Sequence, residues 1–116
     1  MDNKKVYDLE ERTYLFAKNC RLLVQNLSKT VSNVDDGKQL VKSSGSIAAN
    51  YIEANEKLGN KDFTFRLKIA RKEAKESVLW LKLLKDLNVK FEPELTQLLN
   101  EAEELRKILS AIINKS

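Results

Sequence analysis

The sequence predicts an all-α protein, an antiparallel up-down-up-down four-helix bundle, and three observations predict it. Apolar residues recur at three- and four-residue steps along four long stretches, the pattern of helices that each bury one face. Helix breakers are scarce, with three Gly and one Pro in 116 residues. The connections are short, which makes successive helices antiparallel neighbours. At 42% apolar and 33% charged residues the chain reads as one globular domain over residues 1–116. That length supports a core without disulfide or metal staples.

Helix 1 is expected from about Asp8 to about Ser32. Asp8 and Glu11 have capping-box spacing. Leu9, Phe16, Cys20, Leu23, Leu27 and Val31 form its apolar stripe. Asp35-Asp36-Gly37 reads as a turn in which either Asp can cap helix 2, expected over about 36–58. The helix 2 stripe is Leu40, Ser44, Ile47, Tyr51, Ala54 and Leu58, and Gly59 follows where glycine ends helices. Asn60 is the expected cap of helix 3, over about 61–87, with Asp62 well placed for the helix dipole. Its stripe is Phe63, Leu67, Ala70, Ala74, Ser77, Leu81 and Leu84. A loop over Asn88–Glu92 leads to Pro93, suited to the first turn of helix 4 over about 93–114. Leu95, Leu98, Ala102, Leu105, Leu109 and Ile112 form the last stripe. Steps near 3.5 residues predict shallow crossing angles with coiled-coil-like packing.

Composition excludes much chemistry. With no histidine, the commonest general base, the commonest metal ligand and the Ser-His and Cys-His pairs are gone. The Glu-x-x-His pairs of di-iron bundles go with them. One cysteine cannot close an internal disulfide, and Cys20 on an apolar stripe reads as a small buried hydrophobe. No zinc pattern exists, and neither a metal nor a cofactor is expected. The apolar runs are too short to span a membrane, and the polar segment Met1–Lys5 leads into no signal core, so the expected compartment is the cytoplasm.

Helices 2 and 3 carry more apolar surface than one core stripe needs. On helix 3, Phe65, Ile69, Trp80, Leu83 and Leu87 make a second row, interrupted by Glu73 and Glu76. On helix 2, Val41, Gly45, Ala48 and Ile52 make another, of small and medium residues that let a helix approach closely. A wider core stripe would explain the rows. The reading preferred here is a subunit interface, since an exposed Trp-Phe-Leu row invites aggregation on a monomer.

Charge is concentrated on helix 3. Residues 60–88 hold eight Lys or Arg against four Asp or Glu, while the whole chain has a net charge of +4. Lys61, Lys68, Arg71, Lys72, Lys75 and Lys82 share roughly one third of the helix circumference, away from the core stripe. A solvated face is the bland interpretation, and a phosphate-tracking surface the functional one. Lys68, Arg71, Lys72, Lys75 and Lys82 are the candidate nucleic-acid contacts, since Arg66 lies nearer the interior.

Two motifs suggest catalysis. Glu53-x-x-Glu56 and Glu73-x-x-Glu76 are carboxylate pairs on successive helices, similar to those with which helical nucleotide pyrophosphohydrolases bind magnesium. Their orientation counts against it, with Glu53 and Glu56 turned from the core and Glu73 and Glu76 on a flank. Ser43-Ser44-Gly45-Ser46 lacks both a nucleophile elbow and a histidine, so its small residues serve close packing. No catalytic residue is assigned.

Val41-Lys42-Ser43-Ser44-Gly45-Ser46-Ile47-Ala48-Ala49-Asn50-Tyr51-Ile52-Glu53-Ala54 resembles the signature R-S-S-x-S-I-x-x-N-I-x-E-G. Residues Asp62–Ser77, followed by Trp80-Leu81-Lys82-Leu83-Leu84, resemble a second block of the same family. That family is the bacterial four-helix bundle proteins encoded in 23S rRNA intervening sequences, related to the accessory variability protein of diversity-generating retroelements. The resemblance implies a homopentameric ring and association with structured RNA or a ribonucleoprotein; from the short apolar runs, no membrane partner is expected. In the retroelement relatives a basic surface binds RNA and a reverse transcriptase. Most members have no established biochemical role. Ala54 in place of Gly, and Tyr51 in place of a smaller apolar residue, depart from the signature in helix 2 packing.

Overall fold

The computed structural model describes residues 2–56 and 58–115, with side chains from residue 9 onward. Four helices follow one another: α1 (Asp2–Asn26), α2 (Val31–Ala54), α3 (Asn60–Leu87) and α4 (Glu92–Lys115). A short 3₁₀ turn, Val89–Phe91, joins the last two. Neighbouring helices run antiparallel in up-down-up-down order, and α1 meets α4 to close the bundle. The α2–α3 pairing is the most extensive and the α1–α4 seam the thinnest.

The predicted stripes form the core. Leu9, Phe16, Cys20, Leu23 and Leu27 of α1 are buried against Leu40, Ile47 and Tyr51 of α2 and against Leu67, Leu81 and Leu84 of α3. Leu95, Leu98, Ala102, Leu105 and Leu109 complete it from α4. Cys20 is fully buried and its thiol is pushed up to about 12 by desolvation, which a Ser44 hydrogen bond and the Arg21 charge only partly oppose. The bidentate pair from Arg12 to Glu101, at 3.0 and 2.7 Å, pins the thin α1–α4 seam.

The helix ends depart from expectation at three places. Helix α1 begins at Asp2, with no Gly or Pro to delay it, and the side chain of the expected cap, Asp8, lies outside the described residues. It also stops at Asn26 instead of Ser32. The α1–α2 turn is made by Ser28-Lys29-Thr30: the Thr30 hydroxyl accepts the Asn33 backbone N–H at 3.1 Å and caps α2. Val31, assigned to the α1 stripe, opens α2 at 90% exposure. Asp35-Asp36-Gly37 is therefore helical, not a turn. Gly37 stands there because a Cβ would come within 3.0 Å of Val24 Cγ1, so the glycine lets α1 and α2 close up.

The third place is the connection between α2 and α3. Helix α2 ends at Ala54, where the Asn55 N–H closes back on Tyr51 and Ile52 carbonyls. Leu58, expected in the core, is 81% exposed. Gly59 precedes α3 at φ +133°, a conformation that L side chains resist, and Asn60 is the first helical residue, not the cap. Pro93 sits in the first turn of α4 as expected.

Candidate nucleic-acid interface

Helix α3 is held on two sides, and this decides which way its charges face. At about 100° per residue, Ser77 faces α2 and Arg71 faces α4. Ser77 Oγ lies 2.7 Å from Ser43 Oγ, and Arg71 Nη1 donates to Ser110 Oγ at 3.4 Å. Lys68, Lys72, Lys75 and Lys82 fall on the Arg71 side and are exposed. Arg71 is half-buried at the base of this group. Among the described residues, none of these five cations forms an ion pair.

Lys68, Arg71, Lys72 and Lys75 line a shallow depression of about 560 Å³ between α3 and α4, together with Glu76, Arg106 and Ser110. Lys82 lies outside it, farther along the helix. The α4 contribution, Arg106 and Ser110, was not read from the sequence. Charge counted helix by helix makes α4 acidic, and only the antiparallel pairing brings its late Arg106 beside α3. Arg106 Nε donates to Glu103 Oε1 at 2.9 Å. Arg66, as expected, turns away: its Nη1 is 3.3 Å from Glu53 and its Nε 3.7 Å from Asp62.

The carboxylate pairs do not gather. Glu53 is engaged with Arg66, Glu56 is exposed in the turn after α2, and Glu73 and Glu76 are half-exposed on α3. Among the described residues, no three His, Cys, Asp or Glu side chains form a group that could hold a metal ion. Glu73 has its carboxyl raised above 4.5, first by burial and then by Glu76, against the charges of Lys72 and Lys42. The serines of the Ser43–Ser46 run serve packing: Ser43 and Ser44 are buried, and the short Ser43–Ser77 contact lets α2 and α3 lie close.

The two surplus apolar rows lie on different flanks. On α2, Gly45 sits against Arg21 of α1, and Val41 lines a groove with Val24; Gly45, Val41 and Ala48 are half-buried and Ile52 is exposed. On α3, Phe65 is 57% exposed, Leu83 and Leu87 are exposed, and Ile69 is half-buried. Trp80 is half-buried and packs against the core, so part of the α3 row belongs to the bundle itself. Among the described residues, no helix is long and apolar enough to cross a membrane.

The sequence profile of a family described as 23S rRNA-intervening sequence protein matches residues 5–111. No curated protein matches the chain. Among solved structures, the fold is similar to the crystal structure of a protein of unknown function from the S23 ribosomal protein family of Bacteroides thetaiotaomicron. The TM-score is 0.79 at 29% sequence identity, covering 90% of this chain and 97% of that one.

Proposed function

The chain belongs to the 23S rRNA-intervening sequence protein family, and from that premise we propose that it is a non-enzymatic, oligomeric bundle that binds structured RNA or a ribonucleoprotein through the α4-facing flank of α3. The observation that carries this reading is the group of cations at Lys68, Arg71, Lys72 and Lys75, with Lys82 at its margin. None of them is neutralised by an ion pair among the described residues. Unpaired cations on one flank attract a phosphate backbone, and releasing its counterions drives binding. The compartment of this function is the cytoplasm.

Assembly into a ring, a homopentamer in this reading, is supported by the placement of the two apolar rows. A two-fold dimer uses one self-complementary patch, whereas separate patches on one chain suit head-to-tail contacts, which generate rings when they close. A ring would repeat the basic flank and multiply its avidity. The exposed apolar row of α3 also favours a second reading, a protein-interaction scaffold that binds no nucleic acid.

Titration into a fluorescent structured rRNA fragment, at low and physiological salt and against duplex DNA, separates the two. The expected result is micromolar or tighter RNA binding that weakens steeply as salt rises. The Lys68→Glu, Lys72→Glu, Lys75→Glu triple variant should lose this binding and keep its helicity. Unchanged affinity in the triple variant would overturn the reading, and no binding by the native protein would leave the scaffold.

A further inference from the structure

We propose that the groove between α3 and α4 is a seat for a phosphate group, made by Arg71 from one helix and by Arg106 and Ser110 from the other. A bound RNA then crosses from α3 onto α4 instead of running along α3 alone. This rests on the RNA-binding reading for the source of the phosphate, though not for the seat itself.

Three features carry it. Arg71 and Ser110 already touch, with the Arg71 Nη1 donating to the Ser110 hydroxyl oxygen at 3.4 Å. Ser110 accepts in that contact, so its own O–H can donate to a phosphate oxygen. Arg106 lines the same depression, and its Nε is held by Glu103 at 2.9 Å. That bond fixes the guanidinium plane while its two terminal nitrogens keep their donors, the geometry that grips phosphate in two places.

The charge balance also points across the groove. Lys68, Lys72 and Lys75 rim the depression, and Glu76 is the one carboxylate lining it. Lys82 is seven residues past Lys75, about 10 Å farther along α3. Because the helices are antiparallel and Arg71 meets Ser110, Lys82 runs past the level of Arg106 and Ser110 and lies outside the depression. A phosphate seated at Arg71, Arg106 and Ser110 lies among the cations that line the depression, whereas one following α3 to Lys82 leaves it.

The test uses the full chain with two probes, the rRNA fragment and inorganic pyrophosphate. Arg106→Gln and Ser110→Glu are compared with Lys38→Gln, a charge removed from the α1–α2 side. Arg106→Gln should weaken RNA binding about fivefold at low salt and reduce the salt dependence by roughly one phosphate contact. Ser110→Glu should weaken it more than tenfold, while Lys38→Gln should change nothing. Pyrophosphate should shift the NMR signals of Ser110 and of the Arg71 and Arg106 side chains. If Arg106→Gln binds RNA like the native protein while the α3 triple variant does not, the seat is overturned and the α3 reading stands. If the native protein binds no RNA but pyrophosphate shifts those signals, the seat stands for a small phosphate ligand and the RNA reading falls. If neither probe binds, both fall.

Discussion

The two flanks of α3 belong to one helix but are built for different work. Toward α2 and the core the helix presents Ala70, Ala74 and Ser77, all fully buried, and α2 lies close enough for Ser43 and Ser77 to touch at 2.7 Å. Charge on that side is met across the seam, where Arg66 approaches Glu53 at 3.3 Å. Toward α4 the helix extends long cations over an open depression, without ion pairs among the described residues. Substitutions on the first flank should therefore change stability and spare binding, and those on the second should do the reverse.

The largest expected effect tests the close flank. Ser77→Leu forces a larger side chain into a fully buried site opposite Ser43. Overpacking of this kind costs about 3 kcal/mol, read as a lower midpoint in urea unfolding. RNA affinity of the folded protein should be unchanged. A loss of affinity in Ser77→Leu at unchanged stability would break the separation between the flanks.

Between the flanks lies the outer face of α3, which should govern assembly. Phe65→Asp with Leu83→Asp removes two exposed apolar residues from this row without touching the core. Light scattering should show a smaller particle of the same helicity. RNA affinity should fall about tenfold as the repeated basic flanks separate. An unchanged particle mass would remove this row from the interface.

How much of this was legible in the sequence follows the same division. Core positions such as Leu67, Ala70, Leu81 and Leu105 were readable because burial imposes a period that survives without knowing the partner helix. Helix ends were less readable. Val31 continues the three- and four-residue spacing past Leu27, so periodicity carried α1 through a turn that the Thr30 cap and the Ser28-Lys29 segment make. Gly37 looked like a turn residue, and its reason for being glycine is a neighbour, Val24, thirteen residues away. The basic residues of α3 were legible because they share one helix. Arg106 and Ser110 were not, because only the pairing of α3 with α4 brings them to the site.

The smallest expected effect sharpens the comparison most, because it sets two carboxylates three residues apart against each other. Glu76 lines the cationic depression, whereas Glu73 lies outside its lining, partly desolvated and opposed by the charges of Lys72 and of Lys42 on α2. Replacing Glu76 with Gln removes one like charge from the path of a phosphate. At a separation of about 7 Å in water that repulsion is about 0.6 kcal/mol, so RNA affinity should rise roughly threefold at low salt and show no gain at high salt. Glu73→Gln should leave RNA affinity unchanged and act on stability instead. The folded state holds the Glu73 proton more tightly than the unfolded chain does, so the native protein loses stability as pH rises from 4.5 through the raised value. Glu73→Gln should remove that loss and so stabilise the protein slightly at neutral pH, read as a higher melting temperature. If both variants tighten RNA binding equally, the two flanks share one field, and the α4 side of the helix loses its claim to be the separate binding surface.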